Sequence, residues 1–350
     1  MELTNNQKNI LWIDIAKFIA MFLVVFEHVV IAFNLRDVGY ISFIRFVVVN
    51  FHMPLFFLVS GYLYKQRSKS ENYEKILWAL VIPYFIYQFA YLPFKLGYYH
   101  LYENIPLNIA SIKCFIGILL GDNLGTEGSR FALTVCPACW FLVTMAQLRF
   151  IFAHINMTAK NLFMIIILAF ISLKFLHLRN IDLYFCLDNT LYAIPYFAFG
   201  YCLKNYYGKI IDFISKHKTA LFINLLLILP FISLMHKGFK DILLLQYACG
   251  FLGSFAVIAF SHIFKNTNHF VNVIAKNTLF LIFFQCVLLF ITRWVKLNNL
   301  THLMNQQWEM FLLTIVYSIL IYIVSYFVIL LIQKKNWNIL LGKYKPEKQV

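Results

Sequence analysis

The sequence predicts an all-α, polytopic integral membrane protein: one domain over residues 1–350 that folds as a bundle of about ten transmembrane helices. Three observations predict this fold class. Hydrophobic residues make up 61% of the 350 residues, and charged residues only 13%. The mean hydropathy is +0.73, more than one water-soluble core could bury. Apolar runs of about 20 residues, the length that crosses a bilayer, recur along the whole chain.

Each predicted span is one of these apolar runs, bounded by polar or charged residues. The predicted spans are residues 10–33, 41–64, 77–99, 131–153, 161–178, 183–203, 219–236, 241–263, 270–295 and 309–332. Residues 108–121 form a shorter apolar run, which has the length of an interfacial or re-entrant helix and not of a crossing.

Lysine and arginine are retained preferentially on the cytoplasmic side of a membrane, so their distribution predicts the orientation. With the N-terminus inside, 17 of them fall on inner segments and 10 on outer ones. The distribution predicts a multi-pass protein of the cell membrane with both termini in the cytoplasm, residues 65–75 inside and residues 108–130 outside. The net charge of +15 follows from this topology, so membrane lipid is the expected partner and no nucleic acid is predicted.

The seven cysteines lie mostly inside predicted spans and do not form a disulfide framework. Cys136 and Cys139, in the motif CPAC, have the spacing of a redox or metal half-site, but no second pair or flanking histidine cluster completes it. We expect two buried thiols or an incidental disulfide there, and no metal.

The first predicted span carries ionisable residues, which are costly at membrane depth. At about 100° per residue, Lys17 and His28 lie within about 20° of each other around the helix, and Asp14 lies within about 40° of His28. Glu27 lies about 100° away, so we expect its side chain to point elsewhere. A stripe of Asp14, Lys17 and His28 predicts a functional path between helices. The alternative is that Asp14 and Lys17 pair or snorkel at the inner boundary and that His28 simply forms a hydrogen bond near the outer one.

Six sequence motifs, beginning in this first helix, follow one another along the chain. The first span opens with IDIAK and contains Lys17 and then His28. The later motifs are FHMPLFFLVSGYLY at residues 51–64, VIPYFIY at 81–87, WFLVTM at 140–145, PYFAFGYCL at 195–203 and AKNTLFLIFFQ at 275–285. Together they resemble the membrane-bound acyltransferase-3 family, which includes bacterial polysaccharide O-acetyltransferases, and in particular its fucose O-acetylase-like branch.

The resemblance implies an enzyme, a membrane O-acyltransferase. Its donor is then cytoplasmic acetyl-CoA, and its acceptor is a sugar hydroxyl of an envelope polysaccharide or of a lipid-linked precursor. Family members often carry Arg-x-x-Arg directly before the third span, whereas this chain has ENYEKILWALVIPY. The coenzyme A contact is therefore expected from Arg67, Lys69 and Lys75, whose charges attract phosphate. The alternative for these three residues is ordinary positive-inside charge.

Acyl transfer to a hydroxyl needs a base, and His28 is the best candidate because imidazole titrates near neutral pH. We expect Lys17 and Asp14 to bias its protonation and to anchor the inner end of the path. The family's late motif usually ends in histidine where this chain has Gln285, which can hydrogen-bond but cannot take a proton.

Three further residues are candidates for contacts with the substrate. His52 is either such a contact or a helix-packing histidine. Ser60 beside Gly61 is either a contact or part of a close approach between helices. Trp140 is either a sugar platform or an anchor at the membrane interface.

A non-enzymatic exporter or flippase of a polysaccharide or lipid-linked glycan is the alternative function. Two departures from the family pattern favour it. Gln285 stands where the family usually has histidine, and the Arg-x-x-Arg motif is missing before the third span. However, an exporter has no need of a titratable base on the Lys17 stripe. The sequence leaves open whether the chain forms a homo-oligomer.

Overall fold

Fifteen α-helices make up most of the residues that the computed structural model describes, which are 5–121, 131–179, 181, 183–239 and 242–343, with side chains from residue 11 onward. The helices are α1 Asn5–Ala32, α2 Gly39–Val49, α3 His52–Leu63, α4 Lys69–Ile76, α5 Ile82–Tyr102, α6 Leu107–Leu119, α7 Trp140–His154, α8 Ala159–Arg179, α9 Leu187–Asn205, α10 Gly208–Lys216, α11 Lys218–Gly238, α12 Leu243–Ser261, α13 His269–Lys276, α14 Thr278–Trp294 and α15 Gln307–Lys334. No strand occurs among the described residues, and the prediction of an all-α polytopic membrane protein is confirmed.

Fewer of the described helices than predicted have the length and hydropathy of a membrane span. Within the described residues, seven helical segments are long and apolar enough to cross a membrane, or eight if α13 and α14, which meet at a bend of 87°, form one broken span. The predicted span 131–153 contains only the 15-residue α7, because Pro137 lacks an N–H group and helices usually end at or before the residue preceding a proline. The predicted span 183–203 corresponds to α9, whose first turn contains polar residues that lower its hydropathy. The count of ten is not confirmed.

The segment predicted as a short interfacial or re-entrant helix is α6, a 13-residue helix. The rest of the predicted outer interval, residues 122–130, lies outside the described residues, as do residues 1–4 and 344–350 at the termini.

The chain divides into two compact units: residues 1–64, 196–281 and 288–330 form the first, and residues 65–195, 282–287 and 331–350 form the second. The prediction of a single domain stays a prediction. In the first unit, α1 packs against α3, α12 and α13, and α12 also packs against α11. In the second unit, α4, the π-helical turn Leu77–Val81 and α7 pack together, and α5 packs against α6.

The predicted span 41–64 is broken between α2 and α3. Pro54 has no N–H to donate to the carbonyl of Asn50, four residues earlier, and its ring would clash with that carbonyl in a continuous helix. The backbone therefore leaves the helical conformation at Phe51, where φ is −132°. The Asn50 side chain donates from Nδ2 to the Phe46 carbonyl at 3.0 Å, which satisfies one carbonyl at the end of α2.

Close contact between α3 and α9 in the first unit depends on Gly61. A Cβ atom at this position would lie 1.9 Å from the carbonyl oxygen of Phe197. We expect Gly61→Ala to lower the thermal stability of the detergent-solubilised protein by about 1–3 kcal/mol, because backbone on both sides must move apart. The control is Gly97→Ala, where a Cβ would meet nothing within 4 Å. A melting temperature that is the same for both variants would contradict this packing.

Candidate functional site

A buried ion pair joins the first two helices of the first unit. The carboxylate of Glu27 on α1 is only 7% exposed. Its Oε1 atom accepts hydrogen bonds from both Nε and Nη2 of Arg45 on α2, at 3.1 and 2.7 Å. Two charges at membrane depth are tolerated when they pair in this way, because each would be costly alone.

The second carboxylate oxygen of Glu27 faces His28. Oε2 lies 3.7 Å from His28 Nε2. The other ring nitrogen, Nδ1, lies 2.9 Å from the Val24 carbonyl. A carbonyl can only accept, so Nδ1 carries the proton and, in the neutral ring, Nε2 carries the lone pair. The His28 side chain is 29% exposed, so the imidazole is held in one orientation and is only partly buried.

His52, at the first turn of α3, completes the group. It is 6% exposed, and its Nδ1 donates to the Val48 carbonyl at 2.9 Å, which again leaves the lone pair on Nε2. It lies within electrostatic range of Glu27, His28 and Arg45. We call Glu27, His28, Arg45 and His52 the histidine cluster. The break between α2 and α3 places Arg45 and His52 on separate helices. Arg45 hydrogen-bonds to the Glu27 carboxylate, and His52 acts on it electrostatically.

The expectation that Glu27 points away from His28 is wrong. A helical wheel compares the directions of Cβ atoms, whereas the Glu27 carboxylate lies two bonds further out, where Arg45 holds it beside the imidazole. The sequence contained a usable signal for Glu27 and Arg45. They are opposite charges within the first two predicted spans, and charges at membrane depth almost always pair.

Asp14 and Lys17 lie towards the other end of α1, about 16–21 Å along the helix from His28. Asp14 is 8% exposed. The charges that act on its carboxylate are Lys17, one turn away, and Lys276 at the end of α13. Lys276 was not singled out from the sequence. These three residues form a second polar group, separate from the histidine cluster.

The second unit contains a cleft of about 470 Å³ beside α4. We call it the α4 cleft. Its lining residues are Arg67, Glu71, Glu74, Lys75, Trp78, Ala79, Arg149 and Gly342. Two of the three residues predicted to contact coenzyme A, Arg67 and Lys75, are therefore brought together. Lys69 is exposed and is not among the lining residues.

Arg149 is the cleft residue that sequence reasoning missed. It lies on α7, far along the chain from Arg67 and Lys75, and both Arg67 and Arg149 act electrostatically on the Lys75 ammonium.

Two local features, one at each end of α4, shape the cleft. Ser68 Oγ accepts from Glu71 N at 3.3 Å and so starts α4. The π-helical turn after α4 presents Trp78 to the cleft, and such turns are frequent at functional sites.

Gly342 contributes backbone to the cleft after the short turn Asn338–Leu341. Its φ of +69° lies in the left-handed region, which glycine adopts without the penalty of a Cβ atom.

Contacts of Ser60 and Trp140 with the substrate stay predictions. Ser60 is half-buried on α3, next to the glycine that contacts α9. Trp140 is the half-buried first residue of α7, with its ring edge-on to Phe141 at 6.3 Å. Neither is among the residues that line the α4 cleft.

The cysteines of the CPAC motif, Cys136 and Cys139, are buried thiols. Within the described residues, no group of three His, Cys, Asp or Glu side chains is arranged to hold a metal ion.

Comparison with known families gives one match, and it covers most of the chain. Residues 10–332 match a family model described as an acyltransferase domain. Comparisons with curated proteins and with solved structures gave no significant match.

Proposed function

Because this chain belongs to the acyltransferase-3 family, we propose that it is a membrane O-acyltransferase that moves an acetyl group from acetyl-CoA to a sugar hydroxyl. The acceptor is an envelope polysaccharide or its lipid-linked precursor. The observation that carries the proposal is the histidine cluster. In it, Nε2 of a partly exposed histidine side chain lies 3.7 Å from a buried carboxylate.

The reaction needs a proton to move from the acceptor to the leaving group. His28 Nε2 takes the proton from the sugar hydroxyl as the oxygen attacks the thioester carbonyl. The imidazolium that forms is stabilised by the Glu27 carboxylate, which Arg45 holds in place. When the tetrahedral intermediate collapses, the carbon–sulfur bond breaks and the coenzyme A thiolate takes the proton from His28. His52 Nε2 is an acceptor for a second sugar hydroxyl, which makes His52 a substrate contact.

The α4 cleft is the proposed site for the charged end of acetyl-CoA. Arg67, Lys75 and Arg149 supply the cations that phosphates bind, and Trp78 supplies a flat aromatic surface. Lys69 remains a weaker candidate because it does not line the cleft. Lys17 and Asp14 are proposed to lie at the inner end of a polar path along α1, where Lys17 and Lys276 act electrostatically on the Asp14 carboxylate. Their effect on the protonation of His28 stays a prediction.

The decisive test of the function is chemical. The ester content of the envelope glycan is measured in cells with and without this protein. Loss of O-acetyl groups with unchanged glycan export supports the acyltransferase. Retained esters with reduced surface glycan would instead indicate an exporter.

Neutralising the cations of the α4 cleft is expected to weaken use of the donor. The triple variant Arg67→Gln, Lys75→Gln and Arg149→Gln should raise KM for acetyl-CoA by roughly 10²-fold, because charged hydrogen bonds to phosphate are lost. Lys69→Gln alone should have a much smaller effect. Initial rates in isolated membranes give KM for each substrate.

The matched control for this triple variant is Lys160→Gln, Lys265→Gln and Lys334→Gln, which removes the same charge from exposed lysines. If the cleft variant raises KM only for the glycan, the α4 cleft does not bind the donor.

The proposed orientation has both termini and residues 65–75 in the cytoplasm of the cell. It is supported by the α4 cleft, because residues 67–75 and Gly342 come from segments that this topology assigns to the inner side, and Trp78, Ala79 and Arg149 lie near the inner ends of their predicted spans. We expect a cysteine at position 69 to react with an impermeant thiol reagent only after cells are opened. Labelling of this cysteine in intact cells would indicate the opposite orientation.

A further inference from the structure

A short amphipathic helix, α10, lies between α9 and the long apolar α11. Its two buried side chains, Ile211 and Ile214, are 6% and 4% exposed and attach it to the first unit, where it packs against α11 and α12. The C-terminus of α10 leads directly into α11, which has the length and hydropathy of a membrane span, so this end of α10 lies where that span begins.

The exposed residues of α10 divide into three sectors around the helix. At about 100° per residue, the apolar side chains of Ile210 and Phe213 lie on one flank of the buried face, and Asp212 and Ser215 lie on the opposite flank. Lys209 and Lys216 lie between the two flanks, directly opposite the buried face.

The apolar flank of α10 is exposed. Phe213 is 55% exposed and Ile210 is 37% exposed, and Tyr206 and Tyr207, just before the helix, are 47% and 52% exposed. Tyrosine and large apolar side chains in this arrangement are typical of the boundary between headgroups and acyl chains.

The lysines of this segment differ in what they contact. Lys218 Nζ donates to the His262 carbonyl at 2.8 Å, and Lys204 Nζ lies 5.8 Å from the centre of the Tyr62 ring. Lys209 and Lys216, in contrast, are exposed and make no ion pair with any residue that the structure describes. An orientation with the apolar flank towards lipid and the polar flank towards water would place these two lysines at the depth of the headgroups.

We propose that α10 is an interfacial helix that binds anionic lipid headgroups through Lys209 and Lys216, with Ile210 and Phe213 inserted beside them. Positive-inside charge alone accounts for lysines in a loop. It does not account for two lysines placed between an exposed apolar flank and a polar one. The partner is thus the bilayer surface itself, and its chemistry is a phosphodiester with a net negative charge.

The test uses the full chain in lipid nanodiscs, with an environment-sensitive fluorophore on a new cysteine. Phe213→Cys puts the probe on the apolar flank, and Ser215→Cys puts it on the polar flank. Six of the seven native cysteines are buried, so labelling favours the new site. Brominated phosphatidylglycerol and brominated phosphatidylcholine, at equal mole fraction, are the two quenchers.

We expect strong quenching at position 213 and weak quenching at position 215, with phosphatidylglycerol the better quencher. Lys209→Gln with Lys216→Gln should reduce the relative association of phosphatidylglycerol by roughly 25-fold, about fivefold for each lysine. The control pair Lys160→Gln and Lys265→Gln should leave it within about twofold, because those lysines lie outside the α10 segment.

Results of three kinds would overturn the proposal. One is an absence of lipid quenching at position 213, which would put this flank in water. Another is equal quenching by the two lipids, or an equal loss in the control pair, which would reduce the effect to general charge. The third is displacement of brominated phosphatidylglycerol by acetyl-CoA, which would assign these lysines to the donor.

Discussion

Replacement of His28 by alanine is expected to reduce acetyl transfer by about 10²–10⁴-fold while the protein still folds and inserts. His28 is the partly exposed member of the histidine cluster, so its loss removes the proposed base without leaving a large buried cavity. His28→Gln should be similarly inactive, because the side-chain amide of glutamine cannot take a proton at neutral pH. The measurement is O-acetylation of the envelope glycan in cells that contain matched amounts of each variant.

The control for His28 is His302→Ala, which removes an exposed histidine from the turn Leu297–Leu303. It should retain parental activity. A fully active His28→Ala would remove the general base from the proposal, and with it most of the case for enzymatic transfer by this cluster.

The Glu27–Arg45 pair is expected to have separate effects on stability and on activity. Arg45→Ala leaves a buried carboxylate without its closest cation, which should destabilise the protein by as much as about 3–5 kcal/mol. The double variant Glu27→Gln with Arg45→Gln removes both charges, so we expect it to recover most of the stability. It should still lose roughly 10–10²-fold in kcat, with KM little changed, because the imidazolium of His28 is no longer stabilised.

Coupling to His28 distinguishes this role from a purely structural one. In a His28→Ala background, the double variant should cause little further loss of activity, because Glu27 acts through His28. Glu103→Gln, an exposed carboxylate at the end of α5, is the matched control. If the double variant is stable and as active as the parent, the ion pair only holds α1 against α2.

The fold class was predictable from composition because the bilayer imposes a local rule. An apolar run of about 20 residues can be recognised without knowing its neighbours, and α1, α8, α11, α12 and α15 all lie at predicted spans. Irregularities within the runs have local causes that hydropathy does not measure. Pro137 delays the start of α7, and Pro54 interrupts the helix of the second span, although Gly39–Leu63 still has the length and hydropathy of one crossing.

The candidate site was predictable only where one helix carries it. The spacing of Asp14, Lys17 and His28 is a property of α1 alone, so helical periodicity was enough to place them on one face of that helix, although Asp14 and Lys17 form a polar group separate from the histidine cluster. Arg67 and Lys75 were singled out for the same kind of reason, since they lie close together in one basic segment.

By itself, then, the sequence determined that this chain spans a membrane as an all-α protein, and that its first helix carries a titratable histidine and a stripe of charge. Only the tertiary structure decided what surrounds that histidine. Glu27 is beside His28 because Arg45, 18 residues later on another helix, draws its carboxylate there. Arg149 reaches the α4 cleft in the same way, from a helix distant in sequence. Periodicity determines the direction in which a side chain leaves its own helix, whereas the position of its charged end depends on the partner that another helix supplies.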